Sequence, residues 1–161
     1  MNVISHDSKH QQVMTVCGFI HHNFDGVEKV FLPKRAETKK FLPGVYELPG
    51  GHVEFGEEAT VALKRELVEE LGMNVQVGDI LCMFSYVNNI KRSQTFEVVY
   101  FAQFTGPVDS IQLHIEDHSE YGWFAESELV NATTPRKGIE DDEFIAMQKG
   151  FALLRGESLK F

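Results

Sequence analysis

Hydrophobic and polar positions along the chain follow two periods, and each period predicts a different kind of element. Short β-branched runs and alternating apolar positions predict strands, whereas apolar residues that recur every three or four positions predict helices. The predicted strands and extended pieces cover residues 13–20, 29–32, 45–48, 75–87, 95–104 and 121–124. The predicted helices cover residues 57–71 and 141–154, with a single helical turn at residues 126–130.

Turn-forming residues mark where these elements end. Pro33 ends the second strand and opens a loop over residues 34–44, and a second loop over residues 51–56 follows a Pro-Gly-Gly sequence. Residues 88–93 form a polar hairpin loop, and Gly72 ends the central helix, as glycine commonly does. The order of strands and helices predicts an α/β fold, in which helices cover both faces of a mixed sheet.

Size and composition fit one folded domain. The chain has 161 residues, of which 43% are hydrophobic, and a chain of this size can bury a substantial core. We expect a polar N-terminal tail over residues 1–12 and a single domain over residues 13–161.

The charge balance excludes one class of partner. The chain has 15 lysines and arginines against 24 aspartates and glutamates, a net charge of −9. Duplex nucleic acid is bound through clustered basic residues, so we expect no nucleic-acid duplex as a partner. No apolar run is long enough to span a membrane and no signal-peptide core occurs, so we expect no membrane partner. Cys17 and Cys82, far apart in apolar stretches, are typical of reduced thiols in a cytoplasmic protein.

The strongest chemical signal is an acidic face on the central helix. In a helix, Glu66, Glu69 and Glu70 lie within an arc of about 100°, so their carboxylates point toward one spot. A hard divalent cation relieves their mutual repulsion, and Mg²⁺ or Mn²⁺ prefers such oxygen ligands. Gly50 and Gly51 precede the helix, allow a close approach of backbone to a ligand, and leave carbonyl groups available to a metal.

The stretch over residues 51–73 matches a known motif. Gly51 is followed after five residues by Glu57, and after seven more by the sequence RELVEELGM. This pattern is complete at every fixed position of the Nudix box, so the chain resembles the Nudix hydrolase family, also called MutT-like. The resemblance implies an α/β/α sandwich with a mixed sheet between helices. It also implies hydrolysis of a nucleoside diphosphate linked to another moiety, with divalent cations held on the helix of the motif.

The resemblance also implies roles for single residues. Glu57 and Arg65 would form a supporting ion pair, because an arginine can hold a carboxylate through two hydrogen bonds and orient its neighbours. The cation, Mg²⁺ or alternatively Mn²⁺, would be held by carboxylates and by a backbone carbonyl. The implied metal-binding positions are Gly50, Gly51, Glu66, Glu69 and Glu70.

The general base stays open between two places. Glu66 would accept the proton from within the motif, whereas in this family the base or a further metal ligand often comes from a loop before a late strand. Here that loop offers Glu116, Asp117 and Glu120, of which Glu116 and Glu120 are the leading candidates. Arg35, just after the second strand, is a candidate for holding phosphate oxygens of the substrate through its forked N–H groups.

Histidines and aromatic residues near the presumed site have a more ordinary explanation. A hard-metal site of carboxylates does not need imidazole, so the histidines are expected to be structural or minor substrate contacts. The strand aromatics are expected to pack in the core, with stacking on a nucleobase as the alternative. These residues are His52, His114 and His118, and Tyr46, Phe84 and Tyr86.

Three functions follow from the resemblance. The first is a Mg²⁺-dependent pyrophosphohydrolase that converts a nucleoside triphosphate to a monophosphate and pyrophosphate. The second is cleavage of ADP-ribose or a nucleoside diphosphate sugar, and the third is a non-catalytic ligand-binding module, which the complete set of acids disfavours. The small-molecule nucleotide substrate would be selected by residues 34–44, 88–93 and 133–142, which the motif does not describe. A homodimer is a further expectation, because dimers are common in the family.

Overall fold

Helices pack on a sheet in a computed structural model that describes residues 10–132 and 141–158. The strands are β1 (Gln11–Phe24), β2 (Val27–Arg35), β3 (Gly50–His52), β4 (Val75–Asn88), β5 (Ser93–Phe104) and β6 (His118–Phe124). The helices are α1 (Ala59–Leu71), α2 (Leu129–Ala132) and α3 (Asp142–Leu154), and a 3₁₀ turn spans Glu126–Glu128.

The strands form a mixed, six-stranded sheet in the order β4-β5-β1-β2-β6, with β3 paired to β1. β1 runs parallel to β5 and antiparallel to β2 and β3. β4 and β5 form the predicted hairpin, and Asn88 closes its turn by accepting hydrogen bonds from the N–H groups of Ile90 and Lys91 at 3.1 and 3.0 Å. The mixed sheet predicted from the order of elements is confirmed.

Both faces of β1 are buried, and each face packs against a different helix. Successive side chains of a strand point to opposite faces, so Val16 packs with Leu67 of α1, whereas Phe19 packs with Phe151 of α3. Each helix contributes one apolar face, as its sequence period predicts. The resulting layers are helix, sheet and helix, which confirms the predicted α/β/α sandwich.

β2 is longer than predicted and passes through Pro33. Pro33 pairs with Tyr121 of β6, and its carbonyl accepts a hydrogen bond from the N–H of Glu47 at 3.0 Å. Proline is tolerated here because it supplies a carbonyl and lacks only the N–H. The predicted break at Pro33 is therefore wrong, and β2 continues to Arg35.

The Pro-Gly-Gly sequence enters a strand rather than ending one. Residues 45–48 contribute only an isolated bridge, whereas Gly50 pairs with Cys17 and Gly51 pairs with Val16 of β1. A Cβ on Gly50 would overlap the carbonyl oxygen of Val16, so only glycine allows this close backbone contact. The pairing holds β3 in register beside α1. The predicted loop over residues 51–56 is therefore wrong at Gly51 and His52, which lie in β3.

α1 begins later than predicted. Glu57 stays outside the helix because its carboxylate accepts hydrogen bonds from the N–H of Glu54 and from Arg65. Gly72 ends α1 as predicted, with a φ of 64° and its N–H bonded to the carbonyl of Val68.

β6 and α3 frame the last part of the described chain. β6 begins at His118, so Glu120 lies in a strand and not in the predicted loop. α3 begins after Asp141, whose carboxylate caps two backbone N–H groups of its first turn. Residues 133–140 of the loop that was expected to help select the substrate lie outside the described residues, as do residues 1–9 of the predicted tail.

The two cysteines are free thiols, as predicted. Burial, with the carboxylate of Glu97 nearby, holds the pKa of Cys17 well above its usual range, so the thiol stays protonated. Among the described helices, none has both the length and the apolar composition that a membrane span requires.

Candidate functional site

Arg65 ties α1 to the segment that follows β3. Its Nε and Nη2 donate to the two carboxylate oxygens of Glu57 at 2.8 and 3.0 Å, and Nη2 also donates to the carbonyl of His52 at 3.0 Å. The hydrogen bonds from Arg65 hold the pKa of Glu57 below its ordinary value. A guanidinium held at two points is fixed in orientation, so Arg65 sets the position of the acids next to it.

Glu66 lies against the glycines of β3. Only 16% of its side chain is exposed, and Arg65 Nη1 donates to its Oε1 at 2.9 Å. A Cβ on Gly51 would overlap the Glu66 carboxylate, so the space that this carboxylate occupies exists only because residue 51 is glycine. Glu66 and the backbone of β3 therefore share one corner of the site.

Glu70 is a buried acid, and one of its carboxylate oxygens lacks a partner. Oε2 has no hydrogen bond to any of the described residues. Burial, together with the carboxylates of Glu47, Glu66 and Asp117, raises the pKa of Glu70 from 4.5 to about 9. A buried, unpaired acid is costly to keep charged unless a cation is nearby.

Glu47 joins this corner from the segment before β3. Arg35 Nη1 donates to both carboxylate oxygens of Glu47 at 3.2 Å, and Arg35 Nε donates to the carbonyl of Phe41 at 3.0 Å. His118, which is 2% exposed, donates from Nε2 to Glu47 Oε1 at 3.0 Å. Sequence reasoning missed Glu47, although a single charge within an otherwise apolar extended piece is a usable signal.

A cleft of about 760 Å³ connects these groups. Its volume is in the range of small-ligand sites. Glu66 and Glu70 line it beside β3, and Arg35 lines one wall. Glu47, Glu66 and Glu70 form the acidic corner of this cleft. An acidic corner next to basic side chains suits a cation and a phosphate chain bound together. The further basic residues that line the cleft are Lys39, Lys40 and Lys91.

Asp117 comes close to Glu70 from the turn before β6. Lys39 Nζ lies 2.5 Å from Asp117 Oδ1, and His114 Nδ1 lies 2.7 Å from Oδ2. Although burial raises it, the hydrogen bonds from Lys39 and His114 bring the pKa of Asp117 below its ordinary value. Of the three predicted loop acids, Asp117 is thus the one whose charge reaches the acidic corner.

The other two loop acids lie away from the cleft. Glu116 is exposed. Glu120 Oε1 accepts hydrogen bonds from Lys34 Nζ at 3.1 Å and from Tyr46 Oη at 2.9 Å. Neither Glu116 nor Glu120 lines the cleft, so the structure does not bring them together with Glu66.

The residues at the acidic corner fit a hard divalent cation. They offer carboxylate and carbonyl oxygens, which Mg²⁺ and Mn²⁺ prefer, and one oxygen of Glu70 has no hydrogen-bond partner in the described part of the chain. Glu69 lies further out, with 60% of its side chain exposed and its carboxylate 3.6 Å from Arg65 Nη1. Within residues 10–132 and 141–158, no three His, Cys, Asp or Glu side chains form a ready-made metal site. Metal binding by Glu66, Glu69 and Glu70 therefore stays a prediction.

Aromatic side chains line the cleft on the side of β4. The rings of Phe41 and Tyr86 are parallel within 5°, with centroids 6.1 Å apart, and Phe84 lies next to them. Tyr46 instead packs against Phe124. Core packing accounts for Tyr46, whereas Phe84 and Tyr86 are half-buried and also face the cleft.

Comparison with known proteins identifies relatives of this chain. A family model described as NUDIX domain matches residues 14–147. Nucleoside triphosphatase NudI of Escherichia coli strain UMN026 is 30% identical over 129 residues, which cover 75% of this chain and 87% of that protein. The m7GpppN-mRNA hydrolase NUDT17 of Xenopus laevis is 45% identical over 49 residues, which cover 30% of this chain but only 17% of that protein. A solved MutT NUDIX hydrolase from Burkholderia pseudomallei has a TM-score of 0.66 at 26% identity, covering 86% of this chain and 98% of its own.

Proposed function

Because this chain belongs to the NUDIX hydrolase family, we propose that it hydrolyses a nucleoside triphosphate to a monophosphate and pyrophosphate, using Mg²⁺. Family membership makes it an enzyme that acts on a nucleoside diphosphate linked to another moiety. The similarity to the triphosphatase NudI over most of that protein's length supports a triphosphate. The observation that carries the proposal is one cleft that joins Glu66 and Glu70 to aromatic rings suited to a nucleobase.

The proposed cation site is built on α1 and β3. Glu66 and Glu70 would contribute carboxylate oxygens, Gly50 or Gly51 a carbonyl oxygen, and Glu69 a further carboxylate from the exposed side of the helix. When bound, the cation supplies charge neutralisation at phosphate oxygens and lowers the pKa of a coordinated water. Mg²⁺ is proposed ahead of Mn²⁺ because it is commonly held by one or two carboxylates together with substrate phosphates.

Glu66 is the proposed proton acceptor for the attacking water. It lines the cleft beside Gly51, and the hydrogen bond from Arg65 Nη1 orients its carboxylate. A general base must lie within hydrogen-bond reach of the proton that it removes. Glu116 and Glu120 do not line the cleft, so they have no part in this proposal.

Arg35 is the proposed phosphate contact, and Glu47 is its positioning residue. The hydrogen bonds to Glu47 and to the carbonyl of Phe41 hold the guanidinium at the wall of the cleft. A guanidinium matches the geometry of phosphate oxygens through paired N–H groups, which an ammonium group cannot do.

We expect Arg35→Lys to raise the KM for a triphosphate about tenfold while kcat changes by less than about threefold, because the change removes ground-state contacts to phosphate. Steady-state kinetics measure both constants. Arg155→Lys is the matched control, since Arg155 pairs with Glu126 and Glu157 away from the cleft. A large fall in kcat at constant KM would contradict a binding role for Arg35.

The proposed function is tested with a substrate panel and a metal dependence. Purified protein is incubated with canonical nucleoside triphosphates, ADP-ribose, nucleoside diphosphate sugars and dinucleoside polyphosphates, and the products are identified. We expect pyrophosphate and a monophosphate from triphosphates in Mg²⁺, no product above the enzyme-free rate in excess EDTA, and recovery when Mg²⁺ is restored. A preference for ADP-ribose or a sugar nucleotide would overturn the choice of triphosphate. The absence of turnover on every compound would favour a binding module instead.

A further inference from the structure

We propose that the cleft selects guanine, with the carboxylate of Glu97 accepting hydrogen bonds from the Watson–Crick edge of the base. This inference rests on the proposed function, since it places a nucleotide in the same cleft. It adds the base and the residue that would recognise it, neither of which the Nudix motif specifies.

Strand register places Glu97 in the floor of the cleft. Thr15 of β1 is paired with His52 of β3 on one side and with Glu97 of β5 on the other, and Glu97 is paired in turn with Phe84 of β4. Neighbouring strands lie about 4.8 Å apart. This row of residues therefore runs across the sheet from the glycines of β3 to the aromatic side of the cleft, with Glu97 between them.

The hydroxyl group of Thr15 also lies in this floor, and it has no hydrogen-bond partner among the described residues. Thr15 lines the cleft and is only 9% exposed, and its Oγ1 forms no hydrogen bond with any described residue. Buried hydroxyl groups are nearly always hydrogen-bonded. An unpaired hydroxyl next to Glu97 indicates that a polar ligand completes the floor.

The aromatic rings provide the stacking surface beside this floor. Tyr86 and Phe41 are parallel and line the cleft. Burial, followed by the nearby carboxylate of Glu97, raises the pKa of Tyr86, which places Glu97 close to this ring. Aromatic faces stack on any base, so they supply affinity, and the choice among bases falls to the polar group at their edge.

A carboxylate at that edge favours guanine for a chemical reason. An ionised carboxylate only accepts hydrogen bonds, and guanine presents two neighbouring donors, N1–H and the 2-amino group, in the spacing of the two carboxylate oxygens. Adenine and cytosine present an amino group beside a ring nitrogen that is itself an acceptor, and uracil presents one N–H between two carbonyls. Each of these bases would place an acceptor against Glu97.

Burial, together with the nearby carboxylate of Glu97, raises the pKa of the Cys17 thiol. A thiol is a weak donor, and recognition of guanine would use two of the about four lone-pair sites of a carboxylate. A purely structural role for Glu97, which would consist of holding Cys17, is the alternative that the experiment must separate from base recognition.

The test compares the binding of GMP and IMP to the full-length protein in Mg²⁺ by isothermal titration calorimetry. IMP lacks only the 2-amino group, and neither compound contains an anhydride to be hydrolysed. We expect the wild type to bind GMP roughly 10- to 100-fold more tightly than IMP, the effect of one hydrogen bond to a charged acceptor. Glu97→Gln places an amide donor against the base, and we expect it to reduce the ratio to less than about threefold.

Two further variants separate recognition from general damage. Tyr86→Leu should weaken GMP and IMP by similar factors and keep their ratio, because stacking does not read the 2-amino group. Cys17→Ala should also keep the ratio, which shows that Glu97 does not act only through the thiol. Equal affinities of the wild type for GMP and IMP would overturn the proposal, and so would an unchanged ratio in a folded Glu97→Gln protein.

The outcome for guanine is separable from the outcome for the proposed function. Hydrolysis of triphosphates without a GMP preference would remove the base assignment and leave the hydrolase proposal standing. A GMP preference without release of pyrophosphate from any triphosphate would support the base assignment and overturn the proposed reaction.

Discussion

The Glu70→Gln variant is expected to lose at least about 10³-fold in kcat/KM for triphosphate hydrolysis while it stays folded. The substitution preserves the shape of a side chain whose Oε2 is buried and forms no hydrogen bond within residues 10–132 and 141–158, but it removes the charge that a divalent cation would need. Catalytic charge stabilisation by a single preorganised group is worth about 10²–10³-fold, and loss of a cation ligand also weakens the group that holds the phosphates. Steady-state kinetics at saturating Mg²⁺ measure the loss.

Stability provides a second readout for the same variant. Because the pKa of Glu70 is raised from 4.5 to about 9, the folded wild type without a cation must hold a proton at neutral pH that the unfolded chain has released, and this lowers its stability. A neutral amide avoids this cost. In EDTA, Tm of Glu70→Gln should therefore equal or exceed that of the wild type, and Mg²⁺ should raise it less. Glu58→Gln is the matched control, since Glu58 is an exposed acid just before α1 that makes no side-chain cap. Wild-type kcat/KM in Glu70→Gln would refute the proposed cation site.

The Gly51→Ala variant is expected to lose about 10²-fold or more in kcat/KM with little change in fold. A methyl group at position 51 would occupy the space of the Glu66 carboxylate. The pairing of Gly51 with Val16 prevents the backbone from moving away, so Glu66 must turn out of its place. Displacement of a catalytic group by about 1 Å commonly costs about 10²-fold.

Gly106→Ala is the control for this prediction. A Cβ on Gly106 would make only an ordinary contact, 3.9 Å from Met73 Cε, so activity should be unchanged. Circular dichroism and Tm establish that both variants fold. If Gly51→Ala retained wild-type activity with normal Mg²⁺ dependence, the position of Glu66 beside β3 would not matter for catalysis.

Elements with a clear local signal were predicted well. The hydrophobic period of the central helix, the glycine at its end and the β4–β5 hairpin each depend on residues close in sequence, and all are present. The errors lie where a local signal is overridden by a partner far along the chain. Pro33 predicts a break, yet β2 continues past it because Pro33 pairs with Tyr121 of β6. Gly50 predicts a turn, yet it lies in a strand because it pairs with β1.

The residues of the candidate site also fall into two groups, those that a local pattern identified and those that only the folded chain brings together. The acids of α1 were found because their spacing on a helix already places them together, whereas the Glu57–Arg65 pair was implied by the resemblance to the Nudix family. Glu47 and Glu97 were missed because each stands alone in an apolar stretch. Glu116 and Glu120 were placed ahead of Asp117, although only the folded chain places the charge of Asp117 near Glu70.

The sequence alone determined the order of elements, the family and the acidic face of the central helix, since helical and strand periods are local properties of the chain. Only the tertiary structure decided which acids meet in the cleft, that Arg35 is held by Glu47, and that Thr15, Glu97 and Phe84 form one row. The physical reason is that strand pairing joins residues distant in sequence. The burial of these residues then depends on which elements pack over the sheet. Neither strand pairing nor burial can be predicted from one segment of the sequence.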